Sequence, residues 1–439
     1  GFRSLGIGGM AVTLLSVLIA MTFLPAVMAV LGGRVNALAL FRTRGRGSRA
    51  WRRLAEWGRR RPVLIAIPVG LFLLFLGLPL LNIKVGISGV DLLPPELESR
   101  QGWELASQQF GEGNLSPILI VARPEDGTFH PQSIARLHDY VASLGADNRI
   151  RRVESIVSLD PAITREQYQQ LYSLPPEQIP FPQVRAAVKA MATERVTIIR
   201  AYSHLDPEGD EAKALVRDLR ASKPPGLGID VDGVTAALMD DVDTIYGSFP
   251  WVILLVMATT YLALLILFRS VWLPLKAIVM NMLSLTASYG ALVFIFQEGH
   301  FRRFLGFETP GYTQAITPVI MFCIIFGLSM DYEVFLLSRI KEAYDETGDN
   351  SEGVAVGLEK TGAIITSAAV VLALVAASFA TGYLVVVKAL GVGIGLAVLI
   401  DALVVRTLLV PALMYIMGRW NWWAPGFVVR WLPGGSQRR

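Results

Sequence analysis

Apolar residues fall into seven long runs, each close to or above the roughly 20 residues that span a bilayer. They occupy approximately 5–31, 63–82, 249–268, 273–296, 314–338, 361–383 and 386–417. Each is predicted to be a transmembrane helix, and the last is long enough to tilt or protrude. The stretch 83–248 between the second and third runs has a different pattern. Pro117–Arg123 (PILIVAR) reads as a buried strand, 131–145 as a helix and 150–156 as a second strand. Residues 195–202 read as a third strand, 208–221 as a helix and 228–233 as a fourth strand. This is β-α-β followed by β-α-β, the split ferredoxin-like pattern. The Pro-rich segment 160–192 is predicted to be an insertion. Residues 234–248 are predicted to form a helix that runs into the third span at Pro250, either carrying domain motion into the membrane or serving as a rigid tether.

Composition narrows the class. Charged residues are only 17% of the 439, and hydrophobic ones 53%, against about 25% charged in soluble domains. That excludes a purely soluble enzyme, a disordered chain and collagen. A single cysteine, Cys323, allows no internal disulfide and no zinc thiolate cluster. His130, His138, His204 and His300 show no ligand spacing, so no metal or cofactor is expected.

The arginines set the expected orientation. The linker 33–62 holds Arg34, Arg42, Arg44, Arg46, Arg49, Arg52, Arg53, Arg59, Arg60 and Arg61 against one acid, Glu56. Short loops rich in Lys and Arg stay cytoplasmic. Counting spans from this linker puts 83–248 outside, and 269–272, 339–360 and the tail 419–439 inside. Arg438 and Arg439 agree; Arg302 and Arg303 in the outer loop 297–313 do not. The linker reads as a topology signal and an anionic-lipid contact rather than a nucleic-acid site, because few aromatic residues, Trp51 and Trp57 among them, interleave with its arginines. Position 1 is Gly, and neither a charged n-region nor a cleavage site precedes the first run, which is therefore not a signal peptide. A missing N-terminal part is expected.

The chain also resembles itself. Leu5-Gly6-Ile7-Gly8 and Leu24-Pro25-Ala26-Val27-Met28 match Leu390-Gly391-Val392-Gly393 and Val410-Pro411-Ala412-Leu413-Met414. The segment 1–32 therefore reads as the last helix of a preceding copy of the unit 63–418. The order is one helix (1–32), linker (33–62), one helix (63–82), outer domain (83–248), five helices (249–418) and tail (419–439). Parallel repeats of this kind are a transporter plan.

Charges inside a span are costly and are functional candidates by default. The clearest lie in Gly327–Phe335 (GLSMDYEVF). A desolvated Asp331 would take up and release a proton near neutral pH, with Tyr332 holding the carboxyl or relaying the proton; the alternative is a structural Asp satisfied by a neighbour. Glu333 sits about 200° round the helix and is expected to face a different neighbour or the inner interface. Asp401 is the second intramembrane acid. Its match in the earlier helix is Ser16, and Arg406 either neutralises it or snorkels. Lys276 and Lys388 near span ends are expected at the interface. Thr366 and Ser367 would meet Asp331 across a helix pair or act as polar glue. Gly391–Gly395 lies in a span and reads as helix packing, and Gly357–Thr361 lacks the Gly before Lys that a Walker A motif requires. No ATP site or hydrolase motif is visible.

The run Gly327–Leu337, the segment Gly357–Thr361 before a span, Ala389–Met414 with Asp401-Ala402 and Val405-Arg406, and the closing Gly418–Trp423 together resemble the MMPL (mycobacterial membrane protein large) family of the resistance–nodulation–division (RND) superfamily. The resemblance covers essentially the whole chain and is most specific over 249–424. It implies a twelve-span, two-repeat bacterial exporter of the cytoplasmic membrane, a proton-driven secondary transporter and not an enzyme. Its substrates would be lipids, glycolipids or hydrophobic compounds, and each repeat would carry an extracytoplasmic porter domain. This chain would be the C-terminal half. Asp331-Tyr332 would match the family's tenth-helix relay pair, whose fourth-helix counterpart is not in the chain. Partners implied are a hydrophobic substrate, membrane lipids and the N-terminal repeat, with self-assembly left open and no nucleic acid. The rival reading is a non-transporting RND-like module: a lipid sensor, a scaffold or an accessory to protein translocation.

Overall fold

The computed structural model describes residues 2–32, 34, 46–87, 89–90, 93–175 and 178–426. The first part of the basic linker (33 and 35–45) and the end of the tail with Arg438 and Arg439 lie outside the described residues. Helix α1 (Phe2–Leu31) is followed by α2 (Arg46–Arg60) and α3 (Pro62–Gly77), which a 3-10 turn extends to Asn82. Strand β1 (Val85–Gly86), α4 (Glu98–Phe110) and α5 (Glu112–Leu115) precede β2 (Ile118–Pro124), α6 (Pro131–Gly145) and β3 (Ile150–Glu154). Next come α7 (Arg165–Leu171), α8 (Pro182–Met191), β4 (Thr197–Ser203), α9 (Asp210–Ala221) and β5 (Leu227–Asp232). The chain then returns through α10 (Val234–Phe268), α11 (Trp272–Leu292), α12 (Arg302–Leu305) and β6 (Thr313–Gln314). It closes with α13 (Ile316–Thr347), α14 (Asn350–Ser378), α15 (Val385–Ile400), a π-helical stretch (Asp401–Leu409) and α16 (Val410–Met417). Among the described residues, seven helical segments are long and apolar enough to cross a membrane.

The four strands β2 to β5 form one antiparallel sheet in the order β3-β4-β2-β5. β2 and β4 alternate burial residue by residue, placing Ile118, Ile120, Ile199 and Ala201 on the inner face. That face packs on Ile134 and Leu137 of α6 and on Leu215 of α9. The segment between β3 and β4 contains α7 and α8 rather than irregular chain. Thr164 caps α7 in a reciprocal box with Gln167, and Pro182 opens α8. Helix α4 carried no periodic signal because none of its residues is buried.

Ahead of β3, Asp147 accepts from the Arg149 backbone N–H at 2.9 Å and from its guanidinium at 2.8 Å. The Arg149 guanidinium holds the Asp147 carboxyl below the usual carboxylate range. A depressed pKa contributes stability above the ordinary value of about 4 that is lost as pH falls through the lowered one. Asp147→Asn should therefore lower the melting temperature at neutral pH, and the gap from wild type should close in acid. A gap that stays constant down to the acid limit would refute this account.

The expected ends of two helices need correction. Residues 339–360 are not a loop: α13 runs to Thr347 and α14 starts at Asn350. Gly348, at φ +68°, ends the first helix, and Asp349 caps the second by accepting from the Ser351 N–H at 2.8 Å. The helices outlast their apolar runs because their polar ends are paired within the protein. Hydropathy registers only the membrane part.

Helices α3 and α11 cross so closely at Gly290 that a Cβ there would strike the Leu76 carbonyl oxygen. Gly290→Ala is expected to destabilise the protein by about 1–3 kcal/mol, read as a lower melting temperature in detergent. Three segments also meet at the junction of the helices with the sheet. β1 pairs in parallel with β6, Thr313 N–H donating to Lys84 O and Ala315 N–H to Gly86 O, both at 2.8 Å. The Ala315 carbonyl in turn accepts from the Tyr246 hydroxyl of α10 at 3.2 Å. Helix α1 differs from the other six long helices in that none of its apolar window is buried.

Candidate functional site

A polar network lies where α11, α13 and the π-helical stretch after α15 converge. Each residue in it is almost fully enclosed by apolar side chains, with Leu336, Leu337 and Val405 around it. The π-helix supplies both Asp401 and Arg406. Pro411, just beyond it, has no N–H to donate and crowds the carbonyl four residues back, and the chain winds wide in the preceding turns. Arg406 donates from Nε to Asp401 Oδ2 at 2.8 Å, and its Nη2 lies 2.7 Å from the same oxygen. The side chains are 3% and 6% exposed, so neither charge has water to fall back on.

Ser329 of α13 joins the pair to α11. Its hydroxyl contacts Asp401 Oδ2 at 2.7 Å and Asn281 Oδ1 at 3.0 Å, and both its carbonyl and its Oγ accept from Arg406 Nη2. Asn281 Nδ2 donates to Glu333 Oε2 at 3.3 Å. The Arg406 guanidinium also lies 5.5 Å from the centre of the Tyr332 ring. Ser329, Tyr332 and Asp401 line one small cavity with Ala397 and Ala402. Glu333 Oε1, Asp401 Oδ1 and Arg406 Nη1 are buried with no hydrogen-bond partner among the described residues.

The expected site residues separate. Glu333, Asp401 and Arg406 come together in this network. Asp331 does not join them: its side chain is exposed on the far side of α13, on a stripe with Ile324 and Gly327. Among the described residues none buries the Asp331 carboxyl. A helix turns by about 100° per residue, so neighbours 331 and 333 face nearly opposite ways, and Tyr332 is half-buried between them. Thr366 and Ser367 do not reach Asp331 either: the Thr366 hydroxyl is buried without a partner, and Ser367 is exposed. Lys276 and Lys388, near the starts of α11 and α15, are buried within the protein. Lys276 donates to Asn421 Oδ1 at 3.2 Å, and Lys388 donates to the Leu305 and Gly306 carbonyls at 2.6 Å.

Sequence reading missed Ser329, Asn281 and Asn421. Asn281 was findable, since an amide in the middle of an apolar run is as anomalous as a charge. Asn421 was harder to find. It follows the last apolar run, yet it is completely buried: its carbonyl accepts from the Ser270 hydroxyl at 2.7 Å and its amide donates to Met414 O at 2.8 Å.

Comparison with known proteins places the chain in a family. The model of the MMPL family matches residues 2–65 and 91–434. The mycolic acid-containing lipids exporter MmpL11 of Mycolicibacterium smegmatis is 31% identical over 440 residues, covering 98% of this chain and 43% of that protein. The heme uptake protein MmpL11 of Mycobacterium tuberculosis is 31% identical, covering 98% of this chain and 42% of that protein. The trehalose monomycolate exporter MmpL3 of Mycobacterium tuberculosis is 30% identical over 458 residues, covering 98% and 46%. The chain therefore spans about half the length of the curated relatives it matches. A match along nearly the whole chain, with seven helices able to cross a membrane, makes this a multi-pass membrane protein, and the chain belongs to the MMPL family.

Proposed function

We propose that this chain is the C-terminal half of a proton-motive-force-driven exporter of lipids, glycolipids or hydrophobic compounds across the cytoplasmic membrane. The observation that carries the reading is the division of polar groups across α13. Asp331 faces out of the chain from an apolar stripe, while Tyr332 beside it touches the cation of a buried Asp–Arg pair. A carboxyl in the middle of a membrane helix needs a protein or water-lined partner. A first repeat docked on this face would supply one, and would also cover the unburied helix α1. Loading Asp331 with a proton removes a charge beside Tyr332, and the shift reaches Arg406, Asp401 and Ser329 through direct contacts. The unpartnered oxygens of Glu333 and Asp401 give the same network spare capacity to accept a proton.

The unit from β1 to β5 is read as the extracytoplasmic porter domain. Its sheet order β3-β4-β2-β5, with α6 and α9 on one face, supports a ferredoxin-like assignment. The basic linker supports its placement outside. The lipid exporters among its relatives favour a lipid cargo. In inverted membrane vesicles bearing the complete protein, transport of a labelled glycolipid should stop when a protonophore collapses the proton gradient. Transport that continues would remove proton coupling. Lipid binding without transport, indifferent to pH, would favour the non-transporting module.

A further inference from the structure

Helix α2 carries two faces with separate tasks. Its inner face is fixed to the bundle. The Trp51 ring sits over Gly362 of α14, where a Cβ would lie 2.5 Å from the ring. Ala55 is 1% exposed and packs with Ala355 and Leu358. Arg52 reaches Glu352 at 3.1 Å, Glu359 at 3.2 Å and Glu56 at 3.4 Å. Those contacts occupy Glu56, the one acid on the helix.

The outer face is different. Arg53, Trp57 and Arg60 recur at i, i+4 and i+7 and so share one stripe. All three are exposed, Trp57 by 59%, and Arg59 and Arg61 flank them. Among the described residues none of these four arginines is in an ion pair. The helix ends at Arg60, and the membrane-spanning α3 begins at Pro62. The stripe is therefore held at the level where a span starts, which is the headgroup level of a bilayer.

We propose that Arg53, Trp57, Arg60 and Arg61 form a binding stripe for the headgroups of anionic phospholipids. Guanidinium forks match phosphate oxygens in geometry as well as charge. An exposed Trp between them suits the apolar–polar boundary, where aromatic rings concentrate. Basic residues next to a span are drawn to anionic lipid, and the attraction fades within a Debye length, so their position beside Pro62 matters as much as their number. The clamp on α14 means that the lipid meets a surface already in place and need not order it. This inference stands independently of proton coupling, since it concerns neither Asp331 nor the buried network.

The test uses the full chain in phosphatidylcholine nanodiscs doped with phosphatidylglycerol, then exchanged into neutral detergent. Retained lipids are counted by mass spectrometry. The wild type should keep phosphatidylglycerol over phosphatidylcholine by about 5-fold or more relative to the bulk mixture. R53Q/R60Q/R61Q should bring that ratio towards 1 with unchanged helix content and monodisperse elution. R302Q/R303Q, on another surface, should keep the preference and serves as the control for folding and net charge. No preference in the wild type overturns the proposal. So does a preference that R53Q/R60Q/R61Q retains, one that R302Q/R303Q loses equally, or a stripe that binds an oligonucleotide in place of the lipid.

Discussion

Asp331→Asn in the complete protein is expected to reduce proton-coupled export by about 100-fold or more while leaving the amount of folded protein unchanged. Asn has nearly the same size as Asp but cannot release a proton. It imitates the neutral acid permanently, so a cycle that needs both charge states would stop. The fold of this chain should be spared because Asp331 makes no hydrogen bond or ion pair with its described residues. Asp331→Glu keeps a titrating carboxyl displaced by one methylene and should retain part of the activity. The measurement is uptake of a labelled lipid into inverted vesicles, normalised to protein content, with and without a protonophore. Wild-type rates from Asp331→Asn that remain protonophore-sensitive would remove Asp331 from the coupling path.

Arg406→Ala should act in a different way, by unfolding. The guanidinium satisfies Asp401, the Ser329 carbonyl and the Ser329 hydroxyl, and covers the Tyr332 ring. Removing one partner of a buried pair leaves a bare charge and costs about 3–5 kcal/mol. The melting temperature in detergent should fall by many degrees. Asp401→Asn added to Arg406→Ala removes the stranded charge and should recover much of the loss, although neither double nor single variant regains the contact with Tyr332. A single variant that melts with the wild type, or a double variant no better than the single, would show that the pair is not the structural centre of the bundle.

Much of the architecture was legible because two physical signals are strong. Apolar length marks a span, and short runs rich in Ile and Val mark β2 and β4, which begin within two residues of their expected starts. What failed had physical reasons. The ends of α13 and α14 are polar on the outside and paired with α2 and the tail, so hydropathy stopped short of them. Lys276 and Lys388 lie near helix starts, and only the fold reveals the Asn421 amide and the Leu305 and Gly306 carbonyls that make their burial tolerable. The Asp331-Tyr332-Glu333 run was visible as an anomaly, but its division between two faces follows from the helix turn and the packing of α11 against one side only. Proximity in sequence offered Arg406 two roles, neutralising Asp401 or snorkelling, and the fold selects the first. That the backbone between them is π-helical was not readable.

The knot at Ala315 sets how much slack the molecule has. A slide of α13 by one residue is about 1.5 Å along its axis, more than a 2.8 Å hydrogen bond can stretch and survive. Lys84 and Gly86 at the strand leaving α3, and Tyr246 on α10, are all tied to Thr313 and Ala315, the residues that lead directly into α13. These are the two stalks on which the sheet unit stands. They behave as a yoke: any axial stroke of α13 is delivered to both stalks together, or else the yoke breaks first. The sheet unit would then rise or sink as one piece, and a rocking motion would have to originate in some helix other than α13.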